Sequence, residues 1–148
     1  MLVREPGKSC YAYAEIRIKM WDIPDQSNNI WYFGDGAGLD FNPDPNNPNG
    51  PTPRAVSHNQ NIPAGTTTIS DETGQVLFFT DGETVWDLNG NVMENGDSIG
   101  GSNLSSQSVL AVPVPQDETI FYLFTTQTAA DGSNQVKFSV VDIKVENP

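Results

Sequence analysis

Residues 66–91 read TTTISDETGQVLFFTDGETVWDLNGN, and this stretch decides the fold. It holds three short runs rich in β-branched and aromatic residues, at Thr66–Ser70, Gln75–Thr80 and Glu83–Leu88. Such residues fit the pleated, half-buried surface of a strand. The turn formers DETG and DG separate the runs, and a turn at NG precedes a short run at Asn91–Met93. The stretch therefore predicts an antiparallel meander, which needs a packing partner because one small sheet cannot bury its own faces.

Runs of the same kind lie on both sides of this meander. Upstream, Ile30–Gly34 predicts a short apolar strand, which a flexible turn at Asp35–Gly38 follows. Downstream, a loop at Ser98–Ser106 leads to three more predicted strands, with turns at Asp117-Glu118 and at 131–134 between them. No stretch keeps a helical period, so the sequence predicts an all-β fold. These three strands are Gln107–Val114, Thr119–Thr126 and Gln135–Ile143.

The segment Asn42–Gly65 interrupts the pattern of strands. It carries six prolines, which remove backbone donors and fix φ, so it cannot be a helix or a central strand. It is long for an unstructured connection, so either something orders it or it is a mobile surface loop. The lone histidine, His58, is predicted to be a solvated residue of this loop. The prolines are Pro43, Pro45, Pro48, Pro51, Pro53 and Pro63.

Composition limits what the chain can do. Its 148 residues suffice for one ordinary domain, and a net charge of -12 argues against nucleic acid, whose phosphates require surplus Lys and Arg. The single cysteine, Cys10, cannot form an internal disulfide. No apolar run approaches the roughly 20 residues of a membrane-spanning helix, and the first residues do not resemble a signal peptide. No membrane insertion is expected. The chain either stays in the cytoplasm or is a piece of a longer exported protein, and its organisation favours the second.

The first 29 residues predict a separate unit. Tyr11–Trp21 alternates between apolar and polar residues, as a half-buried strand does. It is either the last strand of an upstream β-sandwich (residues 1–21), which residues 22–29 link to the rest, or an edge strand of the main sheet. The chain ends just after a strong predicted strand, so the sequence is expected to be a fragment, truncated at both ends.

Two parts of the chain repeat one pattern. A strand, an acidic turn and an apolar strand ending in Phe-Thr occur at Phe79-Thr80 and again at Phe124-Thr125, 45 positions later. That offset falls in the roughly 40 to 50 residue range of β-propeller blades. Residues 30–148 are therefore predicted to be the first blades of an incomplete β-propeller. A β-sandwich built of hairpins remains the alternative.

Four phrases carry a resemblance to a known family. NIWYFGDGAGLDFN (29–42), TISDETGQVLFFTDGETVWDLNGNVMENG (68–96), SSQSVLAVPVPQDETIFYLFTT (105–126) and VKFSVVDI (136–143) resemble the opening propeller blades of large Bacteroidetes surface proteins. These multidomain proteins are associated with gliding motility and type IX secretion, and they often combine immunoglobulin-like repeats with a propeller. The resemblance implies that the strand at Tyr11–Trp21 ends an immunoglobulin-like repeat. The insert after Phe41 varies in this family, so nothing about it carries over.

One constellation is a candidate metal site. Asp40, Asn42, Asp44 and Asn46 place oxygen-bearing side chains at every second position. Calcium takes 6 to 8 oxygen ligands, so a short loop of this kind can curl around it, and a bound ion would order the proline-rich segment. The loop lacks the glycine and the final acidic residue that define an EF-hand. Calcium is thus a possible ligand here, and a plain Asn-Pro loop is the alternative.

The remaining residues suggest no catalytic site. His58 has no second histidine or cysteine near it in sequence, and the carboxylates at Asp71-Glu72 and Asp117-Glu118 lie in predicted turns, away from any facing acid. Asp81-Gly82 is interpreted as a hairpin turn, with Trp86 packed between blades. Most strand aromatics are assigned to packing, with some left as candidates for stacking on sugars. They are Trp31, Tyr32, Phe33, Phe78, Phe79, Trp86, Phe121, Tyr122 and Phe124.

The sequence and the resemblance together imply a non-enzymatic role. The expected protein is a structural or binding module of a type IX secretion client, at the cell surface or secreted, associated with the outer membrane. It would act in adhesion, gliding motility or surface assembly. Its partners would be a protein or glycan at the cell surface, and the type IX machinery during export. The alternative is a fragment of a propeller-type carbohydrate-active enzyme whose catalytic residues lie outside this chain.

Overall fold

A computed structural model describes residues 25–44, 46, 53–128 and 134–144. In this part of the chain there are eight strands and no helix, which confirms the predicted all-β class. The predicted strand at Tyr11–Trp21, the upstream sandwich and most of the turn at 131–134 lie outside the described residues. The strands are β1 Ile30–Asp40, β2 Arg54–Ile62, β3 Thr67–Ser70, β4 Val76–Thr80, β5 Val85–Asp87, β6 Val109–Val114, β7 Asp117–Thr128 and β8 Asn134–Asp142.

The strands form three small antiparallel sheets. Sheet 1 pairs β1 with β2, sheet 2 has the order β3-β4-β5, and sheet 3 has the order β6-β7-β8. Sheet 2 is the meander predicted from residues 66–91. The run at Asn91–Met93 adds only an isolated bridge between Val92 and Trp86.

The three sheets stack face to face in chain order. Between sheets 1 and 2, Ile30 and Ile62 pack with Phe79 and Trp86 in one buried cluster. On the other side of sheet 2, alternation turns Phe78 and Val85 toward sheet 3. There they form a second cluster with residues of β7 and β8. Sheet 2 is therefore the middle layer, apolar on both faces. The residues that sheet 3 contributes are Phe121, Leu123 and Val141.

Side-chain hydrogen bonds align the first strands of the sheets. The Tyr32 backbone N–H in β1 donates to Thr68 Oγ1 in β3 at 3.0 Å. Thr67 Oγ1, next along β3, donates to the carbonyl of Val109 in β6 at 3.1 Å. Strand β3 thus lies between β1 and β6. The described part of the predicted linker also joins the stack, because the Gln26 N–H donates to the carbonyl of Glu72.

Two predictions about sheet 1 are wrong. Asp35–Gly38 is not a turn, because β1 continues through it to Asp40 with a bulge between Asp35 and Ala37. Gly34 and Gly36 adopt φ of 62° and 69° there, which costs glycine little. The proline-rich insert is not all loop, since β2 occupies its proline-free part between Pro53 and Pro63. Strand β2 lies at an edge, as the exclusion of a central strand requires.

The turn before β7 is also displaced from its predicted place. Pro115 and Gln116 form it, with Gln116 at a φ of 69°, while Asp117 and Glu118 already belong to β7. The carboxylate of Asp117 accepts hydrogen bonds from the N–H and Oγ1 of Thr119, two residues along the strand.

The offset of 45 residues does not describe a structural repeat. It relates Phe78 to Leu123, and both side chains point into the single interface between sheets 2 and 3, from opposite sides. Residues related by a blade repeat would face the same way along the stack. Within the described ranges the sheets form an open stack, and no closed propeller is present.

Candidate functional site

The predicted calcium loop begins where β1 ends. Asp40 Oδ1 accepts the backbone N–H of Asn42 at 2.8 Å, and Asp44 Oδ1 accepts that of Asn46 at 2.8 Å. The loop is therefore built of two successive Asx turns, in which a short acidic side chain bonds the backbone two residues on. The other oxygen of Asp40 accepts a hydrogen bond from Arg54, its cross-strand partner in β2, at 2.5 Å.

The side chain of Asn42 turns toward a different hairpin. Its Nδ2 donates to the carbonyl of Gly74, between β3 and β4, at 3.0 Å, and its Oδ1 is buried with no hydrogen-bond partner. A cation held by Asp40 would compete with the guanidinium of Arg54. Among the described side chains, no group of three or more His, Cys, Asp or Glu could hold a metal ion. Calcium at Asp40, Asn42, Asp44 and Asn46 stays a prediction.

Two turns of sheet 2 share one design that the sequence analysis did not identify. DETGQ (71–75) and DLNGN (87–91) each begin with an aspartate and carry glycine in fourth place. Asp71 Oδ1 accepts the N–H of Thr73 at 2.8 Å and of Gln75 at 2.9 Å. Asp87 Oδ1 accepts the N–H of Asn89 and of Asn91, both at 2.8 Å. Gly74 and Gly90 adopt φ of 83° and 79°.

These hydrogen bonds set the acidity of both carboxylates. Partial desolvation opposes ionisation of Asp71, but the bonds from Thr73, Gln75 and Gly74 outweigh it and lower the pKa. Desolvation is likewise outweighed at Asp87, where bonds from Asn91 and Asn89 lower the pKa. Both groups are therefore ionised turn anchors near neutral pH. Neither has the raised pKa that a general acid needs at that pH.

Amide side chains of sheet 1 and its insert hold both turns. Asn42 binds the carbonyl of Gly74, while Gln60 Nε2 in β2 donates to the carbonyl of Gly90 at 2.8 Å. Asn59 Nδ2 adds a longer bond, of 3.5 Å, to the carbonyl of Asn89. The asparagine-rich insert is therefore structural over β2, where it fastens sheet 1 to the turns of sheet 2.

Asp81-Gly82 is a turn that closes sheet 2, as its sequence predicts. Asp81 is buried, and its Oδ1 accepts the N–H of Glu83 at 2.9 Å and of Thr84 at 2.8 Å. Trp86 stacks on Phe79 with ring centroids 5.3 Å apart, between sheets 1 and 2. In these contacts Asp81 holds a turn and Trp86 packs between sheets, so both have structural roles.

The prediction for His58 is wrong. His58 lies in β2 and not in a loop, and its ring centroid is 4.8 Å from that of Tyr32 and 5.5 Å from that of Phe79. Burial, with the charge of Asp40 as a smaller cause, raises the pKa of Tyr32. His58 thus helps to cover the buried ring of Phe79. No local pattern predicts this contact, because the three residues lie far apart along the chain.

A groove runs between sheets 2 and 3 and encloses about 480 Å³. Its apolar lining includes Ile69 and Leu77 from sheet 2, with Phe121 from sheet 3, and carboxylates surround it. An apolar floor with acidic walls suits a ligand that combines an apolar group with positive charge or with hydroxyl groups. The acidic residues at the groove are Asp25, Asp71, Glu72 and Glu118.

The strand aromatics are less buried than the sequence predicts. Phe78, Phe79, Trp86 and Phe121 lie in the core as predicted, and Tyr32 packs against it. The other four are exposed, because they lie on outer faces of sheets 1 and 3. They are Trp31, Phe33, Tyr122 and Phe124.

Comparison with protein-family models, curated proteins and solved structures gives no match for this chain. Within the described residues, no helix is long and apolar enough to cross a membrane.

Proposed function

We propose that this chain is a non-catalytic structural and binding module built from the first blades of a β-propeller. One observation supports this most: three consecutive antiparallel sheets pack face to face in chain order, and β3 lies between β1 and β6. Consecutive propeller blades pack in this way around their axis. The groove between sheets 2 and 3 is then a gap between neighbouring blades, where a rigid scaffold presents a binding surface.

The turns give such a surface its rigidity. Asp71, Asp81 and Asp87 each hold a turn of sheet 2 through two or more backbone hydrogen bonds. Binding to preformed turns costs less conformational entropy than binding to turns that the partner must first order. The partner in this proposal is a protein or glycan at the cell surface, which the groove and its carboxylates contact.

The resemblance of the sequence to type IX secretion clients supplies the location in this proposal. The module would lie on the outside of the cell, in a protein of adhesion, gliding motility or surface assembly. Its net charge of -12 suits a solvated outer surface.

Protease shaving of intact cells tests the location. An antibody against residues 25–144 should detect the chain on unlysed cells, and the signal should disappear after brief external protease treatment. In cells without a working type IX system, the same chain should stay inside. Detection only after lysis, with full resistance to external protease, would overturn the proposed location.

Partner binding is tested by reversing a charge at the groove and, as a control, one outside it. Purified chain is offered to arrays of glycans and of extracts from the cell surface, together with Glu118→Lys, which reverses a charge at the groove. The control is Glu94→Lys, since Glu94 is exposed and lies outside the groove. Binding that Glu118→Lys weakens and Glu94→Lys leaves unchanged supports the proposal. Binding that ignores both changes would contradict the groove as the site.

A further inference from the structure

Sheet 3 has a second, exposed face that is almost entirely apolar. Alternation along β7 turns Phe121 and Leu123 toward sheet 2 and turns Tyr122 and Phe124 away from it. The strand register brings side chains of β6 and β8 beside these two rings. We call this surface the open face. Its residues are Leu110, Val112, Tyr122, Phe124, Val136, Phe138 and Val140.

The register shows that the open face is continuous. Leu110 pairs with Phe124, which pairs with Phe138 across the sheet. The neighbouring row pairs Val112 with Tyr122 and Tyr122 with Val140. The ring of Tyr122 contacts those of Phe124 and Phe138, with centroids 6.4 Å away in each case. The exposed fraction is 66% at Phe138 and 73% at Val136, so these side chains contact solvent rather than the core.

The open face lacks the charges that cover the rest of this acidic chain. Alternation places Lys137 and Ser139 on the opposite face of β8, and the rows through Tyr122 and Phe124 hold no ionisable side chain besides the tyrosine. Asp142, paired with Ile120, brings a carboxylate to one end of the face. A contiguous apolar patch of this kind on a soluble protein marks a packing or interaction surface.

Sheet 2 shows what packs on such a face. The face of sheet 2 that points toward sheet 3 carries Ile69, Phe78 and Val85, and the antiparallel strands of sheet 3 cover it. The open face looks in the same direction along the stack and carries the same mixture of aromatic and aliphatic side chains. We propose that a further antiparallel β-sheet, formed by the same polypeptide outside these 148 residues, packs on the open face as sheet 3 packs on sheet 2.

The inference rests on the stacked-sheet part of the proposed function and not on the location at the cell surface. A fourth sheet fits better than a small ligand, because the open face is the flat surface of three paired strands. A flat apolar sheet is matched by the interdigitating side chains of another sheet at about 10 Å.

Site-specific photocrosslinking tests the proposal in the polypeptide as its own cells make it. A photoreactive phenylalanine analogue replaces Phe138 in the open face or, as a control, Leu104 in an exposed loop. Ultraviolet irradiation, digestion and mass spectrometry then identify the attached peptides. At position 138 we expect an attachment within the same polypeptide, to a segment with alternating apolar residues. At position 104 we expect none to such a segment.

Each other outcome overturns the proposal. Attachment of position 138 to the same peptide of a second copy would show a dimer, and attachment to a separate protein, a lipid or a helical segment would show another occupant. Equal and unspecific labelling at both positions would show that nothing covers the face.

A stability comparison provides an independent readout. Phe138→Lys should lower the urea midpoint of the cell-made polypeptide and leave that of the isolated 148-residue chain unchanged. An unchanged midpoint in both would contradict a buried position. Neither experiment measures surface location or partner binding, so failure here and failure of the proposed function are distinguishable.

Discussion

The rings of Phe78 and Phe121 meet edge to face, with centroids 5.2 Å apart and an interplanar angle of 74°. Phe78 belongs to the central strand of sheet 2 and Phe121 to the central strand of sheet 3. This contact joins the two sheets whose sequences match at the 45-residue offset. Aromatic pairs favour this geometry because the positive edge of one ring faces the negative face of the other.

Phe78→Ala should destabilise the chain strongly, because Phe78 is fully buried and its loss leaves a cavity between the sheets. A cost of about 3 to 5 kcal/mol in the free energy of unfolding is expected. In the isolated chain the exposed Phe138 is a matched control, and Phe138→Ala should change that free energy by no more than about 0.5 kcal/mol. Urea denaturation measures both, and equal effects would show that the sheets do not pack through Phe78. If Phe78→Ala does not fold, Phe78→Leu serves in its place with a smaller loss.

Gly74 should tolerate a side chain less well than Gly34. Both have positive φ, so Gly34→Ala, where no atom lies near the added Cβ, should cost about 1 to 2 kcal/mol from the backbone alone. At Gly74 the new Cβ would also collide with the amide of Asn42 and break its hydrogen bond, which adds about 1 kcal/mol or more. Thermal unfolding of both variants checks the order. Once Asn42 is replaced by Ala, the collision is removed. Adding Gly74→Ala to Asn42→Ala should therefore lower the melting temperature by less than Gly74→Ala lowers it in the wild type.

Acid should weaken the turns of sheet 2. The pKa values of Asp71 and Asp87 lie below the ordinary 3.8, so the folded state binds protons less readily than the unfolded state. Their contribution to stability is therefore complete above the ordinary pKa and is lost as the pH falls through the lowered values. The double variant Asp71→Asn, Asp87→Asn keeps oxygen acceptors but cannot titrate there. Its stability should fall less steeply between neutral and acidic pH than that of the wild type, and parallel curves would refute the assignment.

Local signals predict sheet 2 but only the first half of β1 in sheet 1, for a physical reason. Strands β3 to β5 are short apolar runs bounded by turns whose glycines, Gly74 and Gly82, have φ of 83° and 89°. Strand β2 reads RAVSHNQNI and lacks an apolar run. It is a strand because β1 pairs with it and because His58 covers Phe79, and neither partner is close in sequence.

The contacts at the candidate sites also divide into local ones, which residue type predicts, and long-range ones, which it does not. The Asx turns at Asp40 and Asp44 are local and follow from residue type, whereas the contact of Asn42 with Gly74 spans 32 residues. The 45-residue offset matches residue types but not side-chain directions, because the pleat reverses the facing of a strand with each single-residue shift.

The calcium prediction can be decided with Arg54. If Asp40, Asn42, Asp44 and Asn46 bind calcium, the ion should raise the melting temperature over that in chelator, since a ligand at 100 times its Kd stabilises by about 2.7 kcal/mol. Arg54 is bonded to Asp40 and would compete with the ion. Arg54→Gln should therefore enlarge the rise, and Asp44→Asn should reduce it, because it removes a negative charge and keeps the oxygen. The control is Asp97→Asn, which changes an exposed carboxylate of another loop. No rise in the wild type or in Arg54→Gln would mean that the loop is held by Arg54 and by its own Asx turns, without an ion.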